Sequence, residues 1–303
     1  MKNIAWVSVV LGIGTPVWGA DEPPAFPVQP YAGVKYQYRV TADPAEQVHV
    51  AFVDLANPDV DVRVSAAGPD PDGDGPYQTI LQVPSVIAAR EHFEVTVNGD
   101  FFAARKTVDV EGEKSGYVSG KWATVTGPAV TDGVLWAPTG TARAALWLGA
   151  HKTPHIAMVK DAPVEAIQVI AGSHILVSGG KTTVETESSF SRTRHPRTAV
   201  GIMGDGHTLV LVVADGRRAG VSVGMSLSEL AELMRQLGCQ EALNLDGGGS
   251  TEMVARDPNS GELRVLNHPS DGRERAVANV LGISIRGSRR ARVVTPPIVE
   301  GDK

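Results

Sequence analysis

The chain has a single cysteine, Cys239, among 303 residues, so no intrachain disulfide can form and the fold depends on its core. Aromatic side chains are scarce, at 5%. Basic residues are outnumbered, with 28 Lys and Arg against 34 Asp and Glu, for a formal net charge of −6. Without a basic surplus to neutralise a phosphate backbone, a nucleic-acid partner is not expected. No apolar run reaches the roughly 20 residues that a membrane-spanning helix needs. Fixed-period repeats, heptads and zinc-ligand spacings are absent too. What is present is the composition of an ordinary globular protein, 42% hydrophobic and 20% charged, long enough to bury a sizeable core. Cys239, in an apolar context after a helix end, reads as a buried structural thiol.

The first twenty residues stand apart. Lys2 forms a minimal positive start, residues 4–13 are apolar except for Ser8 and Gly12, and Thr15-Pro-Val-Trp-Gly-Ala20 offers small residues for cleavage. This pattern predicts a signal peptide over residues 1–20 and an exported protein, periplasmic or secreted. No cysteine follows the cleavage region, so no lipid anchor is expected there.

Residues 21–33 form a proline-rich lead-in, and residues 36–40 and 48–53 have strand patterning. The Pro-Asp-Pro-Asp-Gly-Asp-Gly run at 69–75 lacks the closing glutamate of a calcium loop and reads as a solvated turn. Residues 84–92 suggest a short helix, followed by a strand at 93–97. The clearest helix starts at a capping box, Ser226-Leu-Ser-Glu229, runs through Leu227, Leu230, Met234 and Leu237, and stops at Gly238. Residues 208–214, 242–245 and 276–286 are strand-like. Strands outnumber helices and do not alternate with them, which predicts an α+β fold: a large mixed or antiparallel β-sheet with few packed helices. The expected organisation is a signal peptide (1–20), an N-terminal strand-rich segment (21–89), a main domain (90–286) and a basic tail (287–303).

The segment richest in chemistry is Ala242-Leu-Asn-Leu-Asp-Gly-Gly-Gly-Ser-Thr-Glu-Met-Val254. Three consecutive glycines after an apolar run are costly in conformational entropy. They fit either a glycine-rich hairpin turn or a loop approached closely by a ligand. In the second case the N–H groups of Gly247, Gly248 and Gly249 converge on an anion, Ser250 and Thr251 add hydroxyls, and Asp246 stands at the rim.

Three further segments carry polar groups that such a loop could use. In Val97-Asn98-Gly99-Asp100-Phe101-Phe102 a strand ends in an amide and a carboxylate. Ser191-Arg-Thr-Arg-His-Pro-Arg-Thr198 brings four cationic groups before a strand, with Arg197 able to fork onto a phosphate. Arg273-Glu-Arg-Ala-Val-Ala-Asn279 leads into the last strand.

Taken together, Asn98-Gly-Asp-Phe-Phe, His195-Pro-Arg-Thr-Ala-Val-Gly, the helix before Asn244-Leu-Asp-Gly-Gly-Gly-Ser-Thr, and Arg275-Ala-Val-Ala-Asn279 resemble the phosphodiester glycosidase family over roughly residues 90–286. The resemblance implies cleavage of a sugar from a sugar-1-phosphodiester. Asp246 is the leading catalytic carboxylate, with Asp100 and Glu252 as candidates for the second. Arg197 and Gly247 to Gly249 would hold the phosphate, with Ser250 and Thr251 beside them, while Asn98 and Asn279 would orient the sugar or support the loop. Two positions depart from the pattern. Glu252 stands where a small hydroxyl residue is expected, and Ala171-Gly-Ser-His-Ile-Leu-Val177 replaces a more glycine-rich stretch.

The expected partner is a carbohydrate phosphodiester substrate, with no cofactor, no metal ligand set and no membrane span. Nothing in the sequence sets the oligomeric state. Two other readings remain: metal-assisted phosphodiesterase attack at phosphorus, and a non-enzymatic glycan-phosphate binding or exopolysaccharide-assembly protein. A nucleotide P-loop is set aside because no Gly-Lys-Ser/Thr follows the glycines.

Overall fold

A computed structural model describes residues 26–105, 116–137, 140–184 and 188–288. The predicted signal peptide and most of the predicted basic tail lie outside the described residues. Within them, every strand ladder is antiparallel, and three α-helices accompany the sheets: α1 (Pro84–Glu91), α2 (Ser189–Arg192) and α3 (Leu227–Gln236). The fold is the sheet-dominated α+β class that the strand patterning predicts.

The continuous apolar run Thr208–Ala214 lies inside a seven-stranded sheet. In spatial order its strands are Val34–Ala42, Ala45–Asp54, Thr208–Ala214, Arg197–Met203, Cys239–Asn244, His174–Ser178 and Lys181–Thr182. Side chains alternate across a strand, so Leu209, Leu211 and Val213 enter one core while Val210, Val212 and Ala214 enter another. That second core is covered by α3, whose Leu227, Leu230, Leu233 and Met234 are buried. Each such side chain contributes about 1.5–3 kcal/mol when fully buried. The capping box forms as predicted, with the Ser226 hydroxyl accepting from the Glu229 N–H and the Glu229 carboxylate accepting from the Ser226 N–H. The helix stops before Gly238, which takes φ +91°. Cys239 is buried behind it, and burial pushes its thiol up to about 12.

The first core is closed by a five-stranded sheet in the order Leu263–Val265, Met253–Arg256, Val95–Asn98, Asn279–Ile285 and Val60–Ala66. Val95, Val97, Leu281 and Ile283 point into that core. Helix α1 lies on the sheet's outer face with Ile87 and Ala88 buried, starting at Pro84 and ending at His92, which has φ +60°. Phe93 is not in the strand, contrary to expectation. It lies with Ile87 and Ala88, against Gly282, where any Cβ would overlap its ring. The strand begins two residues later, at Val95.

The N-terminal strands are integral to both large sheets. Ala45–Asp54 pairs with Thr208–Ala214, and Val60–Ala66 pairs with Asn279–Ile285. A second five-stranded sheet, which includes Arg143–Leu148 and Gln168–Ala171, and a three-stranded sheet complete the fold. The ends of Arg197–Met203 and Cys239–Asn244 in one large sheet meet the ends of Val95–Asn98 and Asn279–Ile285 in the other. The motif residues sit at that junction.

Candidate active site

Asn98, fully buried at the end of its strand, ties the two sheets together. Its Nδ2 donates to the Asp246 carbonyl at 2.7 Å, and its Oδ1 accepts from the Thr198 hydroxyl at 2.7 Å and the Glu252 N–H at 3.1 Å. The side-chain amide thereby grips both ends of the glycine loop. Asn279, also buried, does the same for Asp100: its Oδ1 accepts from the Asp100 N–H at 2.8 Å, and its Nδ2 donates to the Asp100 carboxyl. Both asparagines are engaged with protein groups and support the loops.

Asp246 follows at the rim, partly exposed, with its N–H donating to the Gly99 carbonyl at 3.0 Å. Burial pushes its carboxyl up to about 6, against the opposing pull of the Ser250 hydroxyl, the Gly247 N–H and the Arg275 charge. Asp100 is 2% exposed and accepts from the Ala171 N–H at 2.6 Å. Burial, reinforced by the nearby Asp246 charge, pushes it up to about 8 against its own hydrogen bonds. Both carboxyls are thus raised above the usual carboxylate range, Asp100 further than Asp246.

Glu252 is buried with neither carboxyl oxygen in a hydrogen bond. Burial, and after it the neighbouring Glu274 carboxyl, raises it well above the usual carboxylate range. Glu274 in turn caps the start of α1, accepting from the Ser85 N–H at 3.0 Å and the Ser85 hydroxyl at 2.6 Å. Glu252 therefore answers electrostatically to Glu274, whereas Asp100 is the carboxyl coupled to Asp246.

Two of the three glycine amides expected to form a cradle are taken up within the protein. The Gly247 N–H donates to Oδ1 of Asp246 at 2.8 Å, and the Gly248 N–H donates to the Pro196 carbonyl at 2.9 Å. The glycines serve another purpose, which is to admit guanidinium groups. A Cβ on Gly249 would overlap the guanidinium of Arg275, and one on Gly248, which has φ +64°, would lie 2.9 Å from Nη2 of Arg217. Gly247 rests on Arg197, where a Cβ would lie 3.9 Å from Cδ.

Arg197 is 1% exposed. Its Nε donates to the Met225 carbonyl at 3.0 Å, and Nη2 donates to the carbonyls of Phe190 at 2.8 Å and Thr193 at 3.0 Å. Among the described residues no carboxylate pairs with it. Burial, and then the Arg217 charge, lowers it to about 10. The same two arginines hold His195 below the usual imidazole range, after burial, and its Nδ1 is buried without a partner. Thr251 Oγ1 and Asn244 Oδ1 are also buried without hydrogen-bond partners. Buried polar atoms without a protein partner are uncommon, and several of these lie around one loop.

Several neighbours escaped the sequence reading. Arg217 sits in a tight turn with φ +62°, and no local pattern flags it. Phe190, on α2, has the Arg197 guanidinium 4.7 Å over its ring, is stacked with His174 at 5.6 Å, and meets Phe101 edge-on at 6.2 Å. Tyr117 lies 4.8 Å from the Arg275 guanidinium, which also pairs with Asp271 at 2.7 Å. Among the described residues, no group of three or more His, Cys, Asp or Glu side chains gathers as a metal site. No helix there is long and apolar enough to cross a membrane.

A sheet-built site with two neighbouring aspartates, a glycine loop and a buried Arg197 is what the sequence motifs lead to. A family model described as phosphodiester glycosidase matches residues 91–284, and the chain belongs to that family. Among curated proteins it is similar to the SPbeta prophage-derived uncharacterized protein YomE of Bacillus subtilis (strain 168), at 41% identity over 91 residues. That match spans 30% of this chain and only 13% of the relative. Among solved structures it is similar to the zebrafish N-acetylglucosamine-1-phosphodiester alpha-N-acetylglucosaminidase catalytic domain auto-inhibited by its pro-peptide. There the TM-score is 0.62 at 22% identity, over 84% of this chain and 82% of that one. A putative exported protein from Burkholderia pseudomallei K96243 follows, with a TM-score of 0.55 at 17% identity, over 79% of this chain and 74% of that one. A hypothetical protein from Synechocystis gives 0.54 at 16% identity, over 84% of this chain and 62% of its own. At these identities the structural likenesses establish the fold.

Proposed function

We propose that this protein is an exported hydrolase that breaks the bond between the sugar and the phosphate of a sugar-1-phosphodiester. The observation that carries this reading is Arg197. It is a buried guanidinium fixed by three backbone carbonyls and lacking a carboxylate partner among the described residues, and it lies beneath the glycine loop that presents Asp246. A buried cation without a counter-charge is costly unless an anion completes it. Arg217 and Arg275, packed on the same loop, extend the positive region.

In this reading the C1–O bond breaks and its electron pair leaves on the phosphate oxygen, which the arginines stabilise by preorganised charge. A phosphate is a weak base, so little proton donation is needed. Asp246, ionised at neutral pH, faces the oxocarbenium-like carbon, either trapping it or taking the proton from the attacking water. Asp100, neutral beneath it, is the second carboxyl of the pair. Ser250 and Thr251 offer their hydroxyls, and Asn98, Asn279 and the three glycines hold the loop in place. Export rests on the amino-terminal pattern of residues 1–20, and a structural relative is itself described as a putative exported protein.

The test is hydrolysis of a methyl phosphodiester of N-acetylglucosamine-1-phosphate in ¹⁸O-labelled water, with Asp246→Asn in parallel. Label in the released sugar, with turnover lost in the variant, is the expected result. Label in phosphate would mean attack at phosphorus and would overturn the reading. Binding of the diester without turnover would favour a glycan-phosphate binding protein.

A further inference from the structure

The stretch that departs most from the family pattern, Gly172-Ser173-His174, lies beside the aspartates and has no part in the chemistry above. His174 pairs across the sheet with Asn244, two residues before Asp246. Asn244 Nδ2 donates to the Leu245 carbonyl at 2.8 Å and to Ser173 Oγ at 2.9 Å. The Leu245 carbonyl can only accept, so it fixes which end of the Asn244 amide is nitrogen. Ser173 Oγ, accepting from Asn244, has its own proton to give, and Nδ1 of His174 lies 2.9 Å away. This contact fixes the orientation of the ring, and when Ser173 donates to Nδ1 the imidazole proton sits on Nε2.

The ring is half-buried, stacked with Phe190, with Phe101 set edge-on to Phe190. Burial and the Arg197 charge hold it below the usual imidazole range, which favours the neutral ring. Asn244 Oδ1, adjoining it, is a buried acceptor without a partner. The result is an apolar aromatic wall with one donor and one acceptor at its edge. A pyranose offers the complement, with C–H groups on its face and hydroxyls around its rim. A lipid-like alcohol would leave the polar edge unmatched.

We propose that His174, oriented by Ser173 and Asn244 and backed by Phe190, contacts the sugar ring of the substrate and sets sugar specificity. This rests on the sugar-phosphodiester reading of the same site. Its test is equilibrium binding by titration calorimetry of two probes, N-acetylglucosamine-1-phosphate and inorganic phosphate, to wild type and to His174→Ala, His174→Gln and Ser173→Ala. His174→Ala is expected to weaken the sugar phosphate about tenfold, the scale of one hydrogen bond together with its ring contact, and to leave phosphate binding unchanged. His174→Gln, which retains an N–H donor, recovers part of that loss. Ser173→Ala, which keeps the ring but frees its tautomer, loses about threefold.

An equal loss for both probes, or no loss for either, would overturn the contact. Wild type binding phosphate with no preference for the sugar phosphate would also overturn it while leaving the anion site standing. Wild type binding neither probe would overturn the site reading as well. Thermal melting of each variant separates a lost contact from a lost fold.

Discussion

The side chain of Asn98 donates to the carbonyl of Asp246 at 2.7 Å, joining positions 148 residues apart in sequence. The Asp246 loop is therefore held from the opposite sheet by an amide whose oxygen and nitrogen both bond to the protein. Asn98→Ala would strand the Asp246 carbonyl, the Glu252 N–H and the Thr198 hydroxyl at once. Each costs about 1–3 kcal/mol when left unmet in a buried setting. Allowing for partial relaxation, the expected loss is roughly 2–4 kcal/mol in urea denaturation, together with loss of turnover. Asn98→Asp is expected to fare no better, because it keeps the acceptor but turns a carboxyl oxygen toward the Asp246 carbonyl.

The carboxyls of Asp246, near 6, and Asp100, near 8, define a pH window. In the proposed reaction the first acts ionised and the second neutral, so kcat/KM is expected to rise through about pH 6 and fall through about pH 8. Asp100→Asn removes the upper limb. Stability follows the same groups with a definite sign. Both are raised above their unfolded values near 3.8, so the folded state holds protons that the unfolded chain has released. Their contribution is fully present below about pH 4 and is lost as pH rises through 6 and then 8. Asp215, raised to about 6 by burial, adds to the first step. Melting temperatures across pH 5 to 9 should decline in wild type, and less steeply in Asp100→Asn. A flat profile in wild type would count against this assignment.

Gly249→Ala separates the site from the fold. Its added methyl would displace the Arg275 guanidinium, the far end of a flexible side chain, and Gly249 does not have a left-handed backbone. The melting temperature should change little, whereas kcat/KM should fall by roughly tenfold or more, since a misplaced charge loses preorganisation. Gly201→Ala is the contrasting case. There a methyl would meet Cys239 Sγ at 2.6 Å, Met234 Cε at 2.7 Å and the Glu241 carbonyl at 3.1 Å, and the cost falls on stability.

Arg217 occupies a left-handed conformation that a non-glycine residue adopts at a cost of order 1 kcal/mol. Arg217→Gly is expected to hold or slightly raise the melting temperature while weakening phosphate-bearing ligands by about tenfold. Arg197→Lys is expected to lose both stability and turnover. A lysine keeps the charge but cannot meet three carbonyls with a planar fork. Parallel melting and calorimetric titration of the two variants read these effects separately.

Much of the architecture was legible because its cues are local. The Ser226 to Glu229 capping box and Gly238 mark α3 at both ends, and the run Thr208–Ala214 reads as a strand buried on two faces because no polar residue interrupts it after its first position. The motif residues Asn98, Asp100, Arg197, Asp246 and Asn279 do meet, since each sits at the end of a recognisable strand or just beyond it. What could not be read are partners brought in by the tertiary fold. The Gly248 N–H is satisfied by the Pro196 carbonyl, and Gly249 accommodates Arg275, neither of which is visible from three consecutive glycines. Likewise His174 gains its environment from Asn244 and Phe190, 70 and 16 positions away by their numbering. The short strands of the second five-stranded sheet also carry little periodicity of their own, so their register depends on neighbours distant in the chain.

The strand Asn279–Ile285 is flanked on one side by Val95–Asn98 and on the other by Val60–Ala66. Its late position in the chain and its internal position in the sheet have a kinetic consequence. The two strands that it separates form no ladder with each other, so they wait as open edges until residue 285 has emerged from the ribosome. Asn279, which holds Asp100, comes with the same strand, so the site and the sheet close in one step. Non-local pairing of this kind folds slowly.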